Sequence, residues 1–432
     1  MPLSIPFALL LGLLAGPPAL AADLSVEAYG FPLANPFEAT LAGTPPDLRP
    51  ELPADDDIRQ RDHSLLLRPE REHKLPANFW AVKKLHYRIA TQEGPAPLIF
   101  VIAGTGAHYA SGNVELLKKV FYQGGFHVVQ LSSPTSYDFM AAASRSATPG
   151  LSREDADDLY RVMQAIMANH PDLAVTDYHL TGYSLGGLHA AFVSHLDEER
   201  RHFNFKRVLM INPPVNLYTS VSNLDRLVQT RVADIHDTAS FYERMFEKLT
   251  LYFQHQGSLD MNAAVLFDFQ RSSQRLSDEE MAMLIGASFR FSAADIVFTS
   301  DLINRRGLII PPDYPINEGT EMTPFFRRAM LCDFNCYMAE QLVPMWRQRH
   351  DGGSLPQLVN AVSLYALEDY LRESEKIGVM HNADDIILGP GDLGFLRRAL
   401  GARLTLYPRG GHCGNMNYRV NTRAMLDFMG SP

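Results

Sequence analysis

The stretch Thr181-Gly182-Tyr183-Ser184-Leu185-Gly186-Gly187 constrains this chain more than any other. The apolar run Tyr178-His179-Leu180 precedes it, and Leu188-His189-Ala190-Ala191-Phe192-Val193 follows. The pattern predicts a strand, a sharp turn and a helix, with a serine at the turn. So tight a turn forces the serine into a strained backbone conformation, and the flanking glycines carry no Cβ to clash. The hydroxyl then stands clear of the sheet. The following helix points free N–H groups at the same place.

Three distant segments extend the pattern. Residues 376–388 read as a short buried strand ending in a turn with two carboxylates, Asp384 and Asp385. Residues 403–414 read as another short strand, ending in a glycine-rich loop that presents His412. Residues 97–106 read as a hydrophobic strand ending in a loop with Gly104, Thr105 and Gly106. A serine alone is a weak nucleophile at neutral pH. A histidine can take its proton during attack and return it to the leaving group. An acid then holds the imidazole in the right tautomer and stabilises the imidazolium.

With these residues the chain resembles the α/β-hydrolase superfamily of esterases, lipases, thioesterases and some peptidases, over roughly residues 76–214 and 372–432. Gly182-Tyr183-Ser184-Leu185-Gly186-Gly187 and Gly410-Gly411-His412-Cys413-Gly414 match its nucleophile and histidine loops. The resemblance implies an α/β fold, a mainly parallel doubly wound sheet, with Ser184, Asp385 and His412 as catalytic residues. Related loops place the acid just before two or three apolar residues, which favours Asp385 and leaves Asp384 as the alternative. The backbone N–H groups of Thr105 and Leu185 are the expected oxyanion donors. Many family members carry His-Gly at this loop, where this chain has Ala103-Gly104, but a backbone donor does not need that histidine. No cofactor and no metal are implied.

Around that core the chain divides. Residues 1–21 read as a secretion signal, with an apolar stretch from Pro6 to Leu20 and the small-x-small site Ala19-Leu20-Ala21. Periplasmic or secreted placement follows as an expectation, with no stable membrane anchor. Residues 22–75, rich in Pro, Asp and Glu, suggest an extended arm with short strands lying on the core. The pieces around 63–68 and 84–89 look like early sheet strands. A helix over 153–168, capped by Ser152, is expected between two core strands. Residues 215–371 form an insertion that reads as helical, over 240–255, 262–270, 278–289, 323–349 and 355–373. An insertion after the sixth strand lands beside the serine, where related hydrolases hold a cap. Its aromatics are candidates for an acyl pocket: Phe241, Tyr242, Phe246, Tyr252, Phe253, Phe267, Phe269, Phe289, Phe291, Phe325, Phe326 and Trp346, with Leu251. The loop 304–318 is a candidate mobile edge.

A net charge of -10 argues against nucleic acid and anionic membrane surfaces as partners. A small-molecule or lipid-like ester is the expected substrate, and residue types do not give an oligomeric state. Of the three cysteines, Cys332 and Cys336 are close enough in sequence to bridge, and Cys413 reads as a small buried neighbour of His412. His108 is a turn residue or a substrate contact, His189 a packed or capping residue, and His381 a support for the acid loop. The leading function is ester cleavage through an acyl-serine. An acyltransferase or thioesterase on the same residues, or a non-catalytic binding protein of this fold, are the alternatives.

Overall fold

The computed structural model describes residues 25–71, 83–232, 275–317 and 319–430, with Ser240, Arg244, Lys248, Arg271 and Ser272. The expected signal segment lies outside the described residues. So do most of the expected helices 240–255 and 262–270, with Phe241, Tyr242, Phe246, Leu251, Tyr252, Phe253, Phe267 and Phe269.

Eight strands form one sheet: β1 Gln60–Leu65, β2 Leu85–Ala90, β3 Ala96–Ile102, β4 His127–Leu131, β5 Val175–Tyr183, β6 Arg207–Ile211, β7 Ile377–Asn382 and β8 Leu404–Tyr407. Their spatial order is β1-β2-β4-β3-β5-β6-β7-β8. Only β2 runs against its neighbours, and the pairings from β4 to β8 are parallel. This is the mainly parallel, doubly wound sheet of the α/β-hydrolase fold.

Both faces of the sheet are covered, and β3 shows why its sequence is apolar without a break. Leu98, Phe100 and Ile102 enter one core, and Ile99 and Val101 enter the other. Successive strand residues point to opposite faces, so a strand buried on both needs an unbroken apolar run. Helices α4 Tyr137–Ala142, α5 Ser152–Asn169 and α6 Leu185–Arg200 cover the first face. Helix α3 Gly112–Gln123 and the last helix, Arg419–Met429, cover the second.

Ser152 is not the cap of α5. Leu151 holds that position, and Ser152 Oγ donates to Val362 O at 2.7 Å, tying the helix start to the insertion. The arm also differs from the extended form expected. It holds two short helices, α1 Val26–Tyr29 and α2 Pro36–Ala42, each closed by a glycine in a conformation with positive φ. Asn35 caps α2 with Pro36 at its first position, a strong local start signal. Strand β1 falls within 22–75, so the sheet begins before residue 76.

The described insertion is mainly helical, with an irregular stretch between residues 305 and 322. It opens with α7 Leu217–Leu227, followed among the described helices by α8 Asp278–Asn304. A reciprocal Ser277–Glu280 capping box starts α8, which runs well past the expected end at 289. Helix α8 is long and apolar enough to cross a membrane by composition, but it is half-buried, with Ala294 and Val297 inside the insertion's own core. The continuous helix expected over 323–349 is broken after α9 Thr323–Met330. A Cys332–Cys336 disulfide, Cα to Cα 5.2 Å, closes the turn, and Asp333 caps the new helix by accepting from Cys336 N at 2.8 Å. The expected 355–373 helix likewise breaks after Ala361.

Candidate active site

Parallel pairing brings the carboxyl ends of four strands level. Tyr183 pairs with Ile211, Ile211 with Met380, and Asn382 with Tyr407. The residues that follow these ends therefore meet at one edge of the sheet, where ligands bind in open parallel sheets.

Ser184 stands at φ 53°, ψ -127°, between β5 and α6. Its N–H is held by Ile211 O at 2.8 Å. The glycines beside it are obligatory for packing. A Cβ on Gly182 would sit 2.2 Å from Gly186 O, and one on Gly186 would sit 2.3 Å from Ile102 O. The strained serine and the close strand–helix approach thus depend on each other.

His412 comes from the loop after β8. Its Nε2 lies 2.8 Å from Ser184 Oγ, and its Nδ1 lies 3.0 Å from each oxygen of Asp385. Asp385 is buried, and Asn212 Nδ2 (2.9 Å) and Ile387 N (3.1 Å) also donate to it. Burial pushes the Asp385 carboxyl up, but His412, by charge and hydrogen bond, and then His381 outweigh it and hold it below the ordinary 3.8. Burial disfavours the His412 cation, yet the Asp385 charge leads the contributions that raise the imidazole well above the ordinary 6.5.

The two neighbouring carboxylates point apart. Asp384 accepts from Gly410 N (3.1 Å) and Gly411 N (3.0 Å), so it braces the histidine loop from below. Asp385 is the one on His412. Asn212 was not among the residues singled out from the sequence. It follows β6 with φ 46°, a conformation that asparagine tolerates better than most residues.

Thr105 and Leu185 both line the same cavity, and neither backbone N–H donates to a partner among the described residues. The Thr105 loop is shaped by Gly106 N donating to Thr135 Oγ1 at 2.8 Å and Ala107 N donating to Gly104 O at 3.1 Å. His108 is exposed, with Nδ1 accepting from Ala110 N in a turn. His189 is buried near Asp155, and His381 Nε2 lies 3.0 Å from Pro213 O, behind the acid loop. Cys413 is a free, partly buried thiol with φ 62°. Among the described residues, no group of three or more His, Cys, Asp or Glu side chains is placed to hold a metal ion.

The cavity lies between the sheet edge and the insertion. Its wall is almost wholly apolar, built by Phe289, Ile296, Val297, Phe334, Tyr337 and Leu342 among others. Of the described aromatics expected there, only Phe289 contributes. Phe291 is exposed and packs on Phe326, with ring centroids 5.0 Å apart, while Phe325 and Trp346 pack against the insertion core. Tyr218, Phe334 and Tyr337 take their place.

No protein-family model matches the chain, and no curated protein does. Solved structures do. Est1E from Butyrivibrio proteoclasticus is 12% identical over 80% of this chain and 93% of its own, with a TM-score of 0.37. The peroxisomal alpha-beta-hydrolase Lpx1 from Saccharomyces cerevisiae is 13% identical over 87% and 90%, at 0.40. Carboxyl esterase 2 from the fungus Tuber melanosporum is 12% identical over 89% and 90%, also at 0.40. What defines the α/β-hydrolase fold here is the strand order and the turn at Ser184.

Proposed function

We propose that this protein is a serine hydrolase that cleaves a lipophilic carboxylic ester through an acyl-serine intermediate. The observation that carries the reading is the unbroken chain from Asp385 through His412 to Ser184 Oγ, beside an apolar cavity. Ser184 Oγ attacks the ester carbonyl carbon as its proton passes to His412 Nε2. The negative oxygen that forms is met by the N–H groups of Leu185 and Thr105. The tetrahedral species collapses, and the alcohol leaves with the proton from Nε2. Water then repeats the sequence on the acyl-serine and releases the acid. Asp385 keeps the proton of the neutral imidazole on Nδ1, so that Nε2 is free to accept.

The cavity opens beside the serine, where Leu185 and Thr105 line it. Its apolar wall favours an alkyl or aryl acyl group over a charged one. Export by residues 1–21 to an oxidising compartment belongs to the same proposal, and a Cys332–Cys336 disulfide is compatible with it. A fluorophosphonate probe tests the chemistry. It should label wild type and not Ser184→Ala. Folded wild type that stays unlabelled would refute hydrolysis and favour a binding protein.

A further inference from the structure

We propose that the N-terminal arm is part of the catalytic apparatus: helix α2 holds the loop that carries His412, and Thr40 is its positioning residue. The inference rests on the reading of Ser184 and His412 as catalytic.

The main-chain N–H of His412 donates to Thr40 Oγ1 at 2.9 Å. That hydroxyl in turn donates to Pro36 O at 2.6 Å, one turn back in α2, which fixes a lone pair toward the loop. Thr44 Oγ1 donates to Gly414 O at 3.0 Å. The arm presses so close that side chains are excluded. A Cβ on Gly411 would lie 2.3 Å from Pro36 O, and one on Gly414 would lie 1.9 Å from Ala39 O. These two glycines of the histidine loop thus serve the docking of α2. From the other side, Asp384 and Asn382 hold Gly410 and Gly411, so the arm supplies the hydrogen bond on the His412 peptide itself.

The arm is anchored upstream of α2 and at its start. Upstream, Tyr29 OH donates to Asn421 Oδ1 and accepts from Asn415 Nδ2, both at 2.7 Å. Where α2 starts, Asn35 accepts from Phe37 N with its side-chain oxygen and reaches Asp278, at the start of α8, with its Nδ2 at 2.8 Å. Helix α2 is therefore wedged between the insertion and the histidine loop. That loop turns through positive φ at Gly410, Gly411 and Cys413, and such a turn has little rigidity of its own. Holding Nε2 on Oγ needs an external brace, because a displacement of 1 Å costs on the order of 100-fold in rate.

The test uses the full-length protein. Thr40→Val keeps the shape and removes the acceptor, and Thr40→Ser keeps the acceptor. Rates on a p-nitrophenyl ester, normalised by active-site titration, should fall roughly 10- to 100-fold in kcat for Thr40→Val with KM unchanged. Thr40→Ser should recover to within about threefold. Wild-type kcat in Thr40→Val, or no recovery in Thr40→Ser, would overturn the proposal. The fluorophosphonate result separates the two readings. An unlabelled wild type removes both, whereas a Thr40→Val labelled at the wild-type rate removes this one alone.

Discussion

Replacing Asp385 by asparagine should nearly abolish activity, and the geometry says by how much and why. Three donors converge on its two oxygens: His412 Nδ1–H, Asn212 Nδ2 and Ile387 N. An amide offers one acceptor oxygen and an NH₂ group. Whichever way it turns, the NH₂ faces a donor. The imidazole can relieve that clash by taking the other tautomer, with Nδ1 accepting and the proton on Nε2. Nε2 then points its proton at Ser184 Oγ, 2.8 Å away, and cannot act as base. The same exchange in a serine protease lowers kcat by about 10⁴-fold, which corresponds to about 5 kcal/mol of barrier. Losing a buried hydrogen bond should also cost about 1–3 kcal/mol of stability. The control is Asp384→Asn, which leaves His412 paired and weakens one of two N–H contacts to the histidine loop. It should cost about tenfold or less. Steady-state kcat on a short p-nitrophenyl ester, with thermal melts of each variant, reads both numbers. If Asp385→Asn stays within tenfold of wild type, or Asp384→Asn falls as far, the assignment of the acid is wrong.

Four further outcomes follow from the same geometry. The kcat/KM profile should rise with pH through an apparent pKa above 6.5, because attack needs neutral His412 and Asp385 raises that imidazole; a rise complete below 6.5 would contradict it. In stability the pair acts with two signs: the His412 contribution is present below 6.5 and lost as pH rises through its raised folded value, and the Asp385 contribution is present above 3.8 and lost as pH falls through its lowered one, as melts across pH would record. Gly186→Ala forces a Cβ against backbone oxygens at 2.3 and 2.5 Å and should destabilise by about 1–3 kcal/mol or more, whereas Gly112→Ala, with open space around it, should melt like wild type. Val297→Trp would fill the cavity; excluding about four methylenes should cut kcat/KM for long acyl esters by roughly 100-fold and leave acetate esters unchanged, and equal rates across the chain-length series would remove the acyl role from this cavity.

The parts of the site written locally were legible in the sequence. The turn at Ser184 declares itself because its glycines, its strand and its helix lie within a few residues of one another. The loop register favoured Asp385 over Asp384, and in the structure Asp385 faces His412 while Asp384 faces Gly410 and Gly411. Asn212 stayed hidden because its role is not local and exists only once β6 lies beside β7. The arm was misread from composition: its prolines suggested extension, but Asn35-Pro36 is a helix start and Gly43 a helix stop. The cap aromatics were a question of which way each helix rolls, and helical spacing alone does not say which residues reach the cavity.

The histidine loop is held by residues far apart in the sequence, Tyr29 and Thr40 on one side and Asn415 and Asn421 on the other. During synthesis the nucleophile is made 228 residues before the base that it needs. On the proposed chemistry, a nascent chain that has not yet reached residue 412 is inert towards esters, since its serine has no proton acceptor. Hydrolytic power would thus wait on a contact between segments 372 residues apart.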